Sequence, residues 1–207
     1  MSKRHARFGL AAAAAALTVA IGATAALAAT TWTVSPGGKI AAKTDKVTFT
    51  DLTTGTALTC VTDSANGTLK SGSGLPGSGI GSVAAVSIQN CLGPLDLAFF
   101  VKATDLPWHL SLSSYNAKTG AAAGTISGIK ITWAGPACTA VIDGAGGSDG
   151  VVKVSYTNRT GRLKLLTANG NLHFGKVTGC AGLVNTGDLV TISAAYPLTP
   201  KQRITSP

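Results

Sequence analysis

Four cysteines in two similar sequence contexts constrain the fold of this chain more than any other feature. Cys91 follows the short apolar run VSIQN, and Cys180 follows the similar run KVTG. Upstream of each lies a second cysteine in a β-like run, Cys60 in TALTCVTD and Cys138 in PACTAVID. Between the cysteines of each pair the chain carries a related motif, NGTLK in the first and TGRLK in the second. These repeats indicate two related β-modules.

The four cysteines allow three disulfide connectivities. The repeat favours Cys60–Cys91 with Cys138–Cys180, because each bond then occupies the same place in its module. Disulfides of this kind belong to an oxidising compartment. Closing loops of about 30 and 40 residues stabilises a fold by up to roughly 4 kcal/mol for each bond.

The first 28 residues have the pattern of a secretory signal peptide. Three basic residues precede an Ala- and Leu-rich run, and Ala26-Leu27-Ala28 fits the small-x-small rule for cleavage. A retained membrane anchor is the competing interpretation, because the apolar run is nearly long enough to span a bilayer. The weak hydrophobicity of alanine favours cleavage. We therefore predict a signal peptide at 1–28, a secreted domain at 29–207, and no transmembrane segment after cleavage.

Composition and residue alternation predict an all-β class. Charged residues make up 12% of the chain, against about 25% in typical proteins, while Thr, Ser and Gly abound. Thr favours strands, and Gly interrupts helices. Several short runs alternate apolar and polar residues, so that Trp108, Leu110 and Leu112 are expected on one face of a strand. Turn signals recur about every eight to twelve residues, which is typical of a sandwich or barrel.

The predicted architecture is a single antiparallel β-sandwich or flattened barrel built from two disulfide-closed pseudo-repeats, at about 46–101 and 129–196. Residues 105–128 are expected to link them and to contribute a strand. The Gly-rich stretch Ser71–Ser82 is predicted to be a flexible surface loop. Asp143–Gly150 is predicted to be a Gly-rich hairpin loop rather than a calcium loop, because it lacks tandem repeats and EF-hand ligand spacing.

Candidate catalytic and metal-binding residues are few. A nucleophilic enzyme needs a base beside its Ser or Cys and a partner that orients the base. The only candidate bases after the leader are His109, with Asp105 nearby in sequence, and His173. No GxSxG motif occurs, and no CxxC spacing suggests a zinc site. We therefore predict no catalytic residue, no metal and no cofactor.

Positive charge is the remaining feature with a functional interpretation. Without the leader, the chain has 14 basic and eight acidic residues, a net charge of +6. This charge either serves solubility or attracts anionic envelope polymers or lipid head groups, the polyanions that an exported protein meets. Nucleic acid is excluded as a partner by the compartment and by the lack of an aromatic-rich basic platform. The candidate contacts form two clusters: Lys39, Lys43 and Lys46, and Arg159, Arg162 and Lys164.

Four segments carry a resemblance to a known group of proteins: TTWTVSPGG, LPWHL, GTISGIKIT and the terminal LTPKQRITSP. With them, nearly all of the chain after the leader resembles a group of small exported proteins from actinobacteria that has no assigned activity. The resemblance implies an exported protein, and it transfers no catalytic residue.

Three functional hypotheses follow from the sequence. The first is a non-catalytic secreted or cell-envelope protein with a structural or interaction role. The second is a β-scaffold that binds a small apolar ligand or lipid, for which Phe99, Phe100, Trp108 and Trp133 are candidate contacts. A large apolar cavity would favour this second hypothesis. The third is an enzyme in which His109 or His173 meets an Asp and a Ser.

Overall fold

The computed structural model of the chain describes residues 30–166 and 170–207. The predicted signal peptide at 1–28 lies outside the described residues. Two single-turn 3-10 helices, Pro94–Asp96 and Ala145–Gly147, accompany fifteen strands in the described part. The strands are β1 (Thr31–Ser35), β2 (Gly38–Thr44), β3 (Val47–Asp51), β4 (Ala57–Leu69), β5 (Gly72–Pro76), β6 (Gly81–Leu92), β7 (Ala98–Thr104), β8 (Trp108–Asn116), β9 (Ala121–Gly135), β10 (Cys138–Gly144), β11 (Gly150–Thr157), β12 (Arg162–Leu166), β13 (Leu172–Thr178), β14 (Val190–Thr199) and β15 (Arg203–Thr205).

Twelve of these strands form one antiparallel sheet that closes on itself. The long strands β4, β6, β9 and β14 run along the whole barrel. Between them, shorter strands follow one another end to end: β2 and β3 between β14 and β4, β7 and β8 between β6 and β9. The pairs β10–β13 and β11–β12 fill the gap between β9 and β14 in the same way.

This arrangement confirms the predicted all-β fold, an antiparallel flattened barrel whose opposite walls pack together as in a sandwich. Both halves of the chain contribute strands to the same ring. No helix in the described part of the chain has the length and apolar character needed to cross a membrane.

Alternation along the strands determines which side chains fill the barrel. In β8, Trp108, Leu110 and Leu112 are buried while His109 is exposed, as the sequence predicts. The same alternation buries Val47 and Phe49 of β3. Each strand therefore contributes one apolar face to a single core that runs through the ring.

A separate three-stranded sheet, in the order β15-β1-β5, covers one end of the barrel. It lies where β2 begins and where β4 and β14 end, and it buries Trp32, Val34 and Ile204. The buried side chain of Gln202 joins this sheet to the wall. Its Oε1 accepts a 2.9 Å hydrogen bond from the Gly37 amide, and the backbone carbonyl oxygen of the same residue accepts one of 2.7 Å from the Tyr156 hydroxyl. The end of the barrel is thereby closed by chain segments from both termini of the described region.

Two disulfides tie together strands near the opposite end, and both have the predicted connectivity. Cys60–Cys91 joins directly opposed residues of β4 and β6, 31 residues apart in sequence. Cys138–Cys180 joins the start of β10 to the residues that follow β13, 42 residues apart. The described chain contains no free cysteine.

Two loop predictions were wrong. Within Ser71–Ser82, the segment Gly72–Pro76 forms β5 and pairs with β1, so part of this stretch is a strand rather than a flexible loop. The segment Asp143–Gly150 is not a hairpin, because β10 and β11 do not pair with each other. Both strands pair with β9, one after the other, and the glycines let the chain leave and rejoin the same edge.

Replacing Cys60 and Cys91 together by Ala should lower the free energy of unfolding by about 2–4 kcal/mol, because the bond limits the conformational freedom of the unfolded chain. Urea unfolding followed by tryptophan fluorescence measures this change. Ser64→Ala with Ser87→Ala is the matched control, since these residues oppose each other on the same two strands. A loss no larger than that of the control would contradict the stabilising role of the bond.

Candidate functional site

A wide groove crosses the outer wall of the barrel where β2 gives way to β3. Its volume is about 720 Å³. Arg162 and Lys164 project into it from β12, because the alternate residues Leu163 and Leu165 of that strand turn toward the interior. Lys46 reaches it from the turn before β3. The groove is lined by Thr44, Asp45, Lys46, Thr48, Arg162, Lys164, Leu165, Ser193, Ala194 and Ala195.

The charge of this groove is predominantly positive. Three basic side chains line it, together with one carboxylate, that of Asp45. Among the described residues one salt bridge is found, between Lys130 Nζ and Asp105 Oδ2 at 3.2 Å, and it lies elsewhere. The three groove cations are therefore not neutralised by direct ion pairs within the described chain. We call this surface the basic groove.

The basic groove contains half of the cations predicted to contact anions. Lys46 comes from the first sequence cluster, and Arg162 and Lys164 come from the second. Closure of the ring brings the two clusters together, because β12 pairs with β14 and β14 pairs with β2 and β3.

The other three predicted contacts are exposed outside the groove. Lys39 and Lys43 lie on the outer face of β2. Arg159 lies in the turn between β11 and β12, where its carbonyl oxygen accepts a 2.9 Å hydrogen bond from Lys201 Nζ. These residues add to the positive field but do not share the groove.

The two histidines lie in different environments in the described structure. His109 is exposed and lines a small polar cleft of about 200 Å³ together with three aspartates and one serine. His173 Nδ1 lies 2.8 Å from the carbonyl oxygen of Asn171. Between described residues, no hydrogen bond connects either histidine to an Asp or a Ser. Likewise, no described group of three or more His, Cys, Asp or Glu side chains has a geometry that could hold a metal ion.

A second candidate site lies inside the barrel, at Asp63 of β4. This side chain is only 3% exposed. Its Oδ2 accepts a 2.6 Å hydrogen bond from the Tyr196 hydroxyl of β14, whereas its Oδ1 has no hydrogen-bond partner among the described residues. Burial raises the pKa of Asp63 to about 6, an effect that the hydrogen bond from Tyr196 only partly offsets. Burial and the nearby carboxylate also raise the pKa of Tyr196.

Asp63 borders an apolar cavity of about 90 Å³ in the middle of the barrel. Most other residues around this space are aliphatic. The sequence analysis did not identify Asp63 as a site residue. Aspartates commonly serve in turns, as Asp51 does, whose Oδ1 accepts hydrogen bonds from the amides of Thr53 and Thr54. The available signal was the position of Asp63 within a strand-like run. The cavity walls include Ile40, Val86, Trp108, Ile126, Leu163 and Ile192.

The aromatic residues proposed to contact an apolar ligand have different environments. Trp108 borders the cavity. Phe99 and Trp133 pack edge to face in the core, with ring centroids 5.3 Å apart. Phe100 is 83% exposed on the outer face of β7. One of the four therefore lies at the cavity.

Large exposed apolar side chains concentrate at the disulfide end of the barrel. Leu95, in the turn between β6 and β7, is 91% exposed, and Leu52, after β3, is 58% exposed. Leu183 and Leu189 are exposed in the segment between β13 and β14. The backbone amide of Leu52 donates a 2.8 Å hydrogen bond to the carbonyl oxygen of Leu189, so these two segments are adjacent. Contiguous exposed apolar patches are typical of interaction surfaces, whereas single exposed leucines are common on any protein surface.

Comparison of the chain with known protein families, with curated proteins and with solved structures found no match in any of the three.

The buried carboxyl of Asp63 should make the stability of the protein depend on pH. Its pKa is about 6 in the folded chain and near 3.8 in the unfolded chain, so the folded state binds the proton more tightly. The stabilisation is complete below about pH 4 and is lost as the pH rises through 6, at a cost of up to about 3 kcal/mol. Urea unfolding of the wild type at pH 4 and pH 7.5 measures this loss.

Asp63→Asn is the control for this measurement, because it keeps the shape of the side chain and cannot ionise. All other titrating groups are shared, so the difference between the two pH profiles isolates Asp63. Parallel profiles for the two proteins would show that Asp63 does not change its protonation state on folding.

Proposed function

We propose that this protein is exported, acts without catalysis, and associates with the cell envelope by binding an acidic polymer in the basic groove. The observation that carries the proposal is the convergence of Lys46, Arg162 and Lys164 on one groove without a direct ion pair within the described chain. Their charges are available to a ligand because none of the three forms a direct ion pair with a described carboxylate, and the one carboxylate in the groove, that of Asp45, leaves it net positive.

Export is supported by the chemistry of the cysteines and by the leader pattern. All four cysteines are paired in disulfides, and disulfides persist in oxidising compartments outside the cytosol. In such a compartment the polyanions at hand are envelope polymers and lipid head groups. Nucleic acid is not among them. The positive charge therefore serves to attach the protein to the envelope.

The form of the groove favours a polymer over a small anion. Its volume of about 720 Å³ is open along the wall, and its lining includes the small side chains Ser193, Ala194 and Ala195. An extended chain with regularly spaced phosphate or carboxylate groups can lie along such a groove. Arg162 offers the planar fork that binds these groups in a bidentate manner, while the two lysines act as point charges.

Two features of the geometry support a binding role. One is the basic groove, and the other is the group of exposed leucines at the disulfide end. An interaction role accounts for both features.

The proposal is tested by retention of the purified mature protein on cell wall that contains acidic polymer. Lys46→Ser, Arg162→Ser and Lys164→Ser together should reduce the apparent affinity about tenfold at low salt, a difference of about 1.4 kcal/mol. Wild-type retention should weaken with added salt, since exposed charges are screened beyond about 10 Å at 0.1 M ionic strength.

The matched control carries Lys70→Ser, Lys102→Ser and Lys118→Ser. It removes the same charge from exposed positions outside the groove. Its retention should stay close to that of the wild type. Equal losses of retention in the two triple variants would show that net charge, rather than the groove, causes the binding. Retention that does not change with salt would contradict the electrostatic mechanism altogether.

A further inference from the structure

The interior cavity has a composition that selects for one kind of occupant. Its volume is about 90 Å³, and a second space of about 30 Å³ lies on the same core residues, among them Ile40, Val83 and Leu163. An apolar cavity of about 150 Å³ accommodates benzene. By that scale, the larger space here accommodates about four non-hydrogen atoms, and the two spaces together about five.

One polar atom in this cavity is left without a partner. Asp63 Oδ2 is occupied by the Tyr196 hydroxyl, while Oδ1 is buried and makes no hydrogen bond to any described residue. Leaving such an acceptor unsatisfied costs free energy, because the oxygen has lost its hydration without gaining a hydrogen bond. A ligand that donates one hydrogen bond to Oδ1 would recover this free energy. Water bound at Oδ1 could not at the same time fill the apolar space favourably.

The number of acceptors decides which donor fits. An ammonium group brings three N–H donors and a full charge, and an apolar cavity with one open acceptor cannot satisfy them. A ligand with a carboxylate group would place a second acid beside the carboxyl of Asp63, which is unfavourable because like charges repel each other. A hydroxyl group donates one hydrogen bond and carries no charge, so it matches a single open oxygen.

We propose that the interior cavity binds a small aliphatic molecule with one hydroxyl group, whose apolar part lies among the aliphatic side chains and whose hydroxyl donates to Asp63 Oδ1. This site is independent of the basic groove. It lies inside the ring, and its recognition depends on Asp63 and on cavity size rather than on surface charge.

Two isomers serve as probes: 1-butanol, which has a hydroxyl donor, and 1-methoxypropane, which has the same atoms and no donor. Binding is followed by the NMR shifts of the methyl groups of Ile126, Leu163 and Ile192, which line the cavity. For the wild type we expect saturable shifts with 1-butanol and about tenfold weaker binding of 1-methoxypropane, as expected for one hydrogen bond to a buried carboxyl.

Two variants separate hydrogen bonding from simple filling of space. Asp63→Leu removes the acceptor and should abolish the preference for the alcohol over the ether. Ala42→Val adds volume at the cavity wall and should weaken the binding of both probes. The triple variant of the basic groove should bind 1-butanol as the wild type does, so failure of the envelope proposal would leave this result unchanged.

The wild-type comparison tests the proposal even if a variant does not fold. Equal binding of the two isomers would overturn the role of Asp63 as the acceptor. The titration with 1-butanol is carried to the highest concentration that leaves the far-ultraviolet spectrum intact. Shifts that do not saturate there would show that the alcohol does not bind in the cavity, and they would overturn the proposal as a whole.

Discussion

The pairing of β14 with β2 and β3 is the constraint on which the rest of the structure depends, because it converts a meandering sheet into a closed ring. Leu198 and Thr199 pair with β2, and Val190 to Ser193 pair with β3. Closure encloses a continuous apolar interior. It leaves β13 with one incompletely paired edge, since this strand pairs with β10 on one side and makes a single bridge, His173 with Leu189, on the other. It also joins residues from the two ends of the domain. The contact between Asp63 and Tyr196 is a direct consequence, since the two residues are separated by 133 positions in sequence.

The two ends of the ring are finished by different means. At one end the sheet β15-β1-β5 covers the core, and the buried Gln202 makes hydrogen bonds with Tyr156 and Gly37. At the other end two disulfides connect neighbouring strands, and leucines remain exposed in the turns. Covalent bonds thus stabilise the end that has no covering sheet. The disulfide end therefore exposes apolar side chains, whereas the covered end buries Trp32, Val34 and Ile204 in the core.

The two candidate sites differ in their electrostatic environments. In the basic groove, charges lie in water, where solvation keeps the cost of proximity between cations small. In the cavity, a single carboxyl is buried among aliphatic side chains and shifts its pKa upward because its charged form is poorly solvated there. The protein therefore combines a surface suited to a polyanion with an interior suited to a small, mostly apolar molecule. Leu165 borders both spaces, so a single strand, β12, separates them.

The sequence alone was sufficient to predict the all-β class, the inward faces of strands such as β8, and the two disulfides. Residue alternation is a local signal for the class and the faces, and the repeated cysteine contexts favour one disulfide pairing over the others. The sequence also identified the six cations, but not that three of them share a groove, which depends on ring closure. Asp63 shows the limit most clearly. Counted from buried Leu58 and Cys60, strict alternation would place Asp63 on the outer face of β4. The inward side changes between Cys60 and Asp63, at the level where Asn90 of β6 has a φ of 52°. The side of the wall that this carboxyl faces could be read only from the tertiary structure. It depends on how two neighbouring strands distort together, and on the hydroxyl of the distant Tyr196, which donates a hydrogen bond to it.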